Sequence, residues 1–414
     1  DFEGDELPTF SEAVEDSRMS YQKFWEDGGA IDFSQCSDPR AFELERRVIL
    51  SQYLTKVNCS GSLPPQETGL TCNSWYGKFH LEMHWWHGVH FALWNRLQLL
   101  EKSLPWYDHI IEDARHKAEW QGFAGVRWPK MVGPEGRSSP SNVGEFLIWQ
   151  QPHPIYFAEL VYQQKPDRAT LEKYRDIVFS TADFMASFAQ YKVEDQSFHL
   201  CHPLIPAQEI FHAEDTNDPP FELAYWHFAL DVAQDWRKRL GLQRDSTWQN
   251  VLDYLAPLPE YNGLYLPCAG AIDAYTDRDL RRDHPIVLGA YGMLPGDHVD
   301  AATMKRTFLE IMRDWNWKTT WGWDYPMIAM TAARLGEPEM AIEILFKDTQ
   351  KNTYLNNGHN YQDKRLRLYL PGNGALLAAV AMMAAGWTDS DELNPGFPKD
   401  GKWNVKWEGL RKML

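Results

Sequence analysis

The segment Pro203 to Trp226, PLIPAQEIFHAEDTNDPPFELAYW, carries one acid set apart from the rest. Glu209 follows a Pro-Ala-Gln turn and precedes a mixed acidic loop. Pro219 and Pro220 mark the start of a helix behind it, since proline suits a first helical turn. Ile205, Ile210 and Phe211 lie close in sequence, and an apolar surround keeps a carboxyl protonated near neutrality. A protonated carboxyl in a cleft suits general-acid work, such as protonating the leaving oxygen of a glycosidic bond. An isolated loop Glu is more simply a solvated carboxylate, so the case depends on what else converges on it.

A second segment, WYGKFHLEMHWW from Trp75 to Trp86, places Glu82 between His80 and His84 and one helical turn before Trp86. Glu82 is a candidate for a water-activating base or for holding sugar hydroxyls. His80, His84, His87 and His90 invite a metal reading, but HLEMH displaces the acid by one position from the zinc pattern HExxH, and no metal or other cofactor is expected. A third segment, TTWGWDYP, sets Asp324 beside Trp323 at a helix start. The helix dipole alone explains an acid there, yet Asp324 is also a candidate base. In YLPGNGA, Asn373 stands between two glycines at another helix start. Arg127 and Trp128 in VRWPKM, and Trp149, Gln150, Gln151 and His153 in WQQPHP, complete the candidate binding set with Trp75, His80 and His84.

Composition narrows the partner. The 414 residues include 41 basic and 58 acidic side chains, a net charge of −17. Phosphate-backbone binding needs a basic face, so a nucleic-acid partner is not expected. There are 19 Trp, 18 Tyr and 20 Phe. An aromatic ring covers the C–H face of a sugar while polar neighbours bond its hydroxyls, so a carbohydrate ligand fits. Trp75, Trp128, Trp149, Trp315, Trp317, Trp321 and Trp323 sit in loop-like contexts. Most of the other tryptophans read as core wedges. No run approaches the ~20 apolar residues of a membrane span. Asp1 to Glu6 contains four acids and no apolar run, so no secretory signal is read there. Cys59 and Cys72 flank a Pro/Gly loop and have the spacing of one possible disulfide, although free thiols are the commoner reading. Periplasmic or extracellular placement is the expectation, with a cytoplasmic one as the alternative. The sequence leaves the oligomeric state open.

The elements that must position these residues are helical. Apolar residues recur at helical spacing over 42–57, 84–100, 105–120, 154–164, 169–191, 220–240, 247–256, 285–293, 301–315, 325–335, 338–346 and 374–386. Short turns alternate with long loops rich in Trp, Pro, Gly and His, such as 122–141 and 199–219. Antiparallel helix pairs with long loops at one end build a toroid whose loop end carries the cleft. The expectation is one all-α (α/α)6 barrel over 36–414, preceded by an acidic N-terminal arm over 1–35.

In this order, these segments resemble the six-hairpin glycosidases, nearest to glycoside hydrolase family 65, with echoes of the family 95 fucosidases. WYGKFHLEMHWW is similar to the family 65 stretch around FWDTE, with Glu82 on the motif's Glu and His80 replacing its Asp. GVRWPKM looks like GARYPW, and LPGNGALLAAVAMMAAG like the closing barrel helix. PAQEIFHAEDTNDPPFELAYW resembles GPDEYHE…NAYTN, which implies that Glu209 is the general acid. Such enzymes usually carry a β-sandwich before the barrel. His80 removes the family's sugar-binding pattern, and Pro371 stands where the fucosidases have an Asp base. With no clear phosphate-binding cluster, the resemblance implies an inverting, exo-acting hydrolase with Glu82 or Asp324 as base. Phosphorolysis, a polysaccharide lyase on the same barrel, and a non-catalytic sugar-binding protein are the alternatives.

Overall fold

Leu370–Ala385, LPGNGALLAAVAMMAA, has no polar face, and every one of its residues is buried. A helix that is apolar all round belongs inside a protein. Leu81–Leu93 is likewise buried along its whole length. These two helices pack on each other at the centre of the fold. In the computed structural model, which describes residues 7–139 and 141–414, fifteen α-helices are found among the described residues. In chain order they are α1 Phe10–Glu26, α2 Arg40–Cys59, α3 Leu81–Leu93, α4 Leu97–Glu101, α5 Pro105–His109, α6 Ile111–Trp120, α7 His153–Gln164, α8 Arg168–Phe188, α9 Pro220–Arg239, α10 Ser246–Tyr254, α11 Gly289–Gly292, α12 Ala301–Arg313, α13 Asp324–Arg334, α14 Pro338–Leu345 and α15 Leu370–Ala385.

Six of them close a ring: α3 packs on α7, α7 on α9, α9 on α11, α11 on α13, α13 on α15, and α15 back on α3. An outer helix precedes each inner one (α2, α6, α8, α10, α12 and α14), which makes six helical hairpins. The outer helices are amphipathic; α12 buries only Thr303, Met304, Thr307, Phe308 and Ile311. The strands are two or three residues long and occur only as two-stranded ladders. This is the all-α (α/α)6 barrel expected from the sequence. No helix among the described residues is long and apolar enough to cross a membrane.

The N-termini of the inner helices share one end of the ring. Glu82, Glu222 and Asp324 lie in first turns, and Tyr369 caps α15. The partial positive charge of each helix start is directed there.

Local boundaries differ from the periodicity where the chain turns sharply. The run 84–100 divides into α3 and α4 at Asn95, which adopts φ 56°. The run 105–120 divides at Ile110 into α5 and α6. The end of 169–191 leaves the helix as strand Gln190–Lys192, paired with Ser197–His199. The run 285–293 is a 3-10 turn, Ile286–Leu288, followed by the short α11. Within the N-terminal arm, α1 carries a Thr9/Glu12 capping box, and Ala30–Asp32 pairs with Lys406–Glu408 near the C-terminus. The acidic start Asp1–Glu6 lies outside the described residues. The Cys59–Cys72 link is not formed; both are free thiols, and Cys59 faces His87 Nδ1 at 3.2 Å.

Ring closure relies on small residues where α15 meets α3. A Cβ on Gly374 would stand 1.9 Å from the Trp86 carbonyl oxygen, so backbone would have to move. Gly374→Ala is expected to lower the unfolding free energy by about 1–3 kcal/mol through overpacking. Denaturant titration checks this, and an unchanged midpoint would show that the α3–α15 contact is slack.

Candidate active-site pocket

The pocket starts from a two-residue ladder. Phe79–His80 pairs antiparallel with Met131–Val132, and Leu81 N donates to Lys130 O at 2.8 Å. This pairing sets Lys130 beside the first turn of α3. Lys130 Nζ then lies 2.6 Å from Glu209 Oε1 and 3.5 Å from Glu82 Oε1. On the other side, His80 Nδ1 lies 2.6 Å from Glu67 Oε1 and 3.4 Å from Glu82 Oε1. His80 Nδ1 is close to both acids without pointing along a good hydrogen bond to either. Glu67, His80 and Glu82 are nearly inaccessible, at 4%, 3% and 1% exposure. They form the floor of a pocket of about 270 Å³, which Trp75, Met83, Lys130, Glu209, Asp283, His284, Trp321, Arg365 and Tyr369 also line.

A second ionic group joins the first at Glu209, whose backbone N–H donates to Asp283 Oδ2 at 3.0 Å. Asp283 holds φ 67°, a left-handed conformation that a non-glycine residue adopts at some cost. Its own N–H donates to Thr319 Oγ1 at 2.8 Å, and its carbonyl accepts from Trp315 Nε1. His284 pairs with Asp324 Oδ1 at 2.8 Å, while Asp324 Oδ2 accepts the Trp321 N–H at 2.7 Å. Trp323 stacks on His284 with ring centroids 4.2 Å apart.

Burial opposes charge on His80, but Glu67 and Glu82 outweigh it and lift its pKa to about 9. Burial likewise opposes charge on His284, and Asp324 with Asp283 lifts it to about 9. Burial alone would raise Glu82, yet Lys130 and His80 pull it below the ordinary value. Burial also opposes the Lys130 ammonium, which Glu82 and Glu209 hold above its usual range. Burial pushes Asp283 up, with His284 acting against it. Ligand atoms of Glu67, His80 and Glu82 lie within 4.8 Å of one another, a donor set with metal chemistry. Here the protonated His80 and Lys130 supply the cationic charge these acids require.

Of the sequence candidates, Trp75, His80, Glu82 and Glu209 meet in this pocket. Glu209 meets a lysine rather than the apolar surround expected. Asp324 does not line the pocket; it is fully buried and acts on it through His284. The remaining candidates are tied up elsewhere. His84 bonds Tyr107 Oη and Ser103 Oγ, and His153 bonds Tyr225 Oη and the Glu82 carbonyl. Arg127 donates to the carbonyls of Trp128, Glu145 and Leu147. Trp128 donates to Thr181, and Trp149 packs between His153, Phe221 and Trp323. Gln150 and Gln151 donate to loop carbonyls. Trp323 lies between Trp86 and His284, and Asn373 donates to Ser51 Oγ and Gly358 O. Each is a buried polar or aromatic group that found a structural partner.

Glu67, Lys130, Asp283, His284, Trp321, Arg365 and Tyr369 were not among the candidates. Lys130 closes the VRWPKM segment and Trp321 opens WGWD, so both adjoined residues that were singled out. Glu67 and Arg365 lie in loops without a comparable signal.

Both Glu82 and Glu209 contact the same ammonium nitrogen. Their nearer oxygens can therefore be no farther apart than those two contacts laid end to end.

No known family pattern matches the chain, and no curated protein sequence matches it. Solved structures do. A putative kojibiose phosphorylase from the human microbiome superposes with a TM-score of 0.73 at 11% identity, over 97% of this chain and 60% of its own. The chain thus spans about 60% of that protein's length. A wild-type glycosidase superposes with a TM-score of 0.55 at 12% identity, over 82% of this chain and 97% of its own. A variant of a glycosidase in complex with glucose gives 0.55 at 13% identity, with the same coverage.

The two raised histidines make a linkage prediction. A pKa raised on folding contributes stability that is fully present below the unfolded value, ~6.5 for histidine. The contribution is lost as pH rises through about 9. Unfolding free energy is expected to decline across that window, and His284→Gln is expected to flatten the decline. Denaturant titrations at stepped pH read both, and a wild-type profile level from neutrality to pH ~9 would contradict the ionic assignment. The pocket closes a chain with the six-hairpin (α/α)6 fold seen in these carbohydrate-active enzymes, and the likeness to family 65 extends to its overall architecture.

Proposed function

We propose that the protein is a glycoside hydrolase that takes a terminal sugar into this pocket, with Glu209 as the general acid. The observation that carries the reading is the pairing of Glu209 with Glu82 across Lys130, at the N-terminal end of the barrel, in a pocket that Trp75 and Trp321 also line. Glu209 is the accessible member, with 29% of its side chain exposed. Glu82 is held charged beneath it. The buried floor suits a chain end better than the middle of a polymer, which favours exo action. For Glu209 to donate a proton, its contact with Lys130 must give way to the glycosidic oxygen, and Lys130 then remains with Glu82.

Two alternatives fare less well on physical grounds. A lyase needs a tyrosine or histidine base, but burial pushes the Tyr369 hydroxyl far above its ordinary pKa, and His80 and His284 are held protonated. Phosphorolysis would bring a phosphate among Glu67, Glu82, Glu209 and Asp283, where Lys130, His80 and His284 are already ion-paired and Arg365 alone of the lining cations would meet it. Water carries no such penalty.

Glu209→Gln is expected to lower turnover of a susceptible oligosaccharide by about 10²-fold or more, with binding retained and no phosphate requirement. A screen of oligosaccharides with and without phosphate, comparing wild type and variant, reads this. Activity that survives the substitution removes Glu209 from the acid role. The anomer of the first-formed product is a separate prediction. With Glu82 as the base that activates water, the first-formed product carries the opposite anomeric configuration, so proton NMR of fresh product is expected to show inversion. Retention would remove Glu82 from that role.

A further inference from the structure

The rim of the pocket carries positive charge that its floor does not use. Lys130, His80 and His284 are each matched by carboxylates. Two other cations instead end on tryptophan rings. The Arg365 guanidinium lies 5.4 Å from the centre of the Trp75 ring, and Lys351 Nζ lies 4.4 Å from that of Trp321. Trp75 and Trp321 are themselves neighbours, with centroids 6.5 Å apart, and both line the pocket. Arg365 thus lines the pocket over one aromatic wall, and Lys351 stands over the ring of the adjacent wall.

Their placement is braced. Lys351 O accepts from Asn360 Nδ2 and Gln362 Nε2, Gln350 Nε2 donates to Gln362 O, and Gln362 Oε1 accepts the Gly322 N–H. That last bond ties the bracket to the loop carrying Trp321. The Asp363 carboxylate interacts with the charge of both cations, and one of its oxygens is engaged by the backbone N–H groups of Arg365 and Leu366, each at 2.8 Å. Burial lowers the Lys351 pKa, with Asp363 partly offsetting it. A guanidinium seated on a ring keeps its edge N–H groups free, and that edge matches a carboxylate in a two-point hydrogen bond.

We propose that this rim recognises a carboxylate on the sugar, so that the substrate is an acidic glycoside such as one bearing a uronate. The inference rests on the glycoside reading above. In a chain of net charge −17 with four carboxylates in the pocket, an acidic sugar would be repelled unless cations met it at the mouth. A neutral sugar would need only the tryptophans. The carboxylate lies against Arg365 at the exposed lip, with the Lys351 charge nearby, while the glycosidic oxygen of the same sugar meets Glu209 and the rest of the glycan leaves through the mouth.

The test compares two oligosaccharides that differ only in ending with glucose or glucuronate, each titrated by tryptophan fluorescence into wild type, Arg365→Gln, Arg365→Lys and Lys351→Gln. Wild type is expected to favour the glucuronate form by about tenfold or more, a charge-assisted contact's worth, and to lose that preference as salt is raised. Arg365→Gln should bring the ratio of affinities close to one with an unchanged melting temperature, and Arg365→Lys should keep part of it. Equal wild-type affinities, or a preference that survives both charge removals, would overturn the proposal while leaving the glycoside reading in place. If neither sugar binds, the glycoside reading falls and the rim with it. If inorganic phosphate binds in an Arg365-dependent way while glucuronate gains no advantage, the rim serves a free oxyanion and the proposal is wrong.

Discussion

A carboxylate with 1% exposure at the head of an inner helix sets the terms for this end of the barrel. A buried charge without partners costs several kcal/mol, so Glu82 must either stay neutral or collect cations. It collects two. The ladder of Phe79–His80 with Met131–Val132 brings them in together, His80 from its own strand and Lys130 from the residue before the partner strand. The start of α3 adds the favourable end of its dipole. Once His80 is charged it calls for Glu67, and once Lys130 is charged it calls for Glu209. The order of the pocket follows from satisfying one acid.

The second ionic group follows the same logic from another helix. Asp324 is fully buried at the first residue of α13 and is satisfied by His284 and the Trp321 backbone. Asp283, in a left-handed backbone conformation whose peptide is held by Thr319 and Trp315, accepts from Glu209 N through its side-chain Oδ2. The two groups meet only at Glu209, whose side chain bonds one and whose backbone bonds the other. A residue shared in this way has its position fixed from two sides while its carboxylate remains within reach of the pocket. That combination suits a group that must stay put and still change partners.

The ring of helices was legible because its signal is local. α15 is apolar on all sides and α3 is rich in aromatic and aliphatic residues, and proline starts and glycine ends punctuate the hairpins. Glu82 is legible as an acid at a helix start in aromatic surroundings, and Glu209 as an acid after a proline turn that leads towards a helix. The same signal also marks His153, Asn373 and Asp324, which sit in the first turns of inner helices but do not line the pocket. Sequence cannot tell a polar group aimed into the cleft from one that caps the core, because the difference lies in the partner. Asn373 is answered by Ser51, more than three hundred residues away, and Trp128 by Thr181. Lys130 was missed on the same account, since its role exists only through Glu209, 79 residues on. The tryptophans divide likewise: Trp75 and Trp321 stand in the mouth, whereas Trp128, Trp149 and Trp323 are core.

The histidines of α3 show how little residue type decides by itself. His80, His84, His87 and His90 are all buried, and desolvation alone would leave every one neutral. It does so for His84 and His90, which fall to about 3, and for His87, which lies well below its ordinary value. Only His80, at the strand end that reaches the pocket, meets two carboxylates and keeps its proton. The helix therefore runs from a charged, reactive end to a neutral interior within a few turns. The acid at the pocket end keeps its charge through Lys130 and His80 together. This boundary keeps the charge on the histidines of this segment at its pocket end.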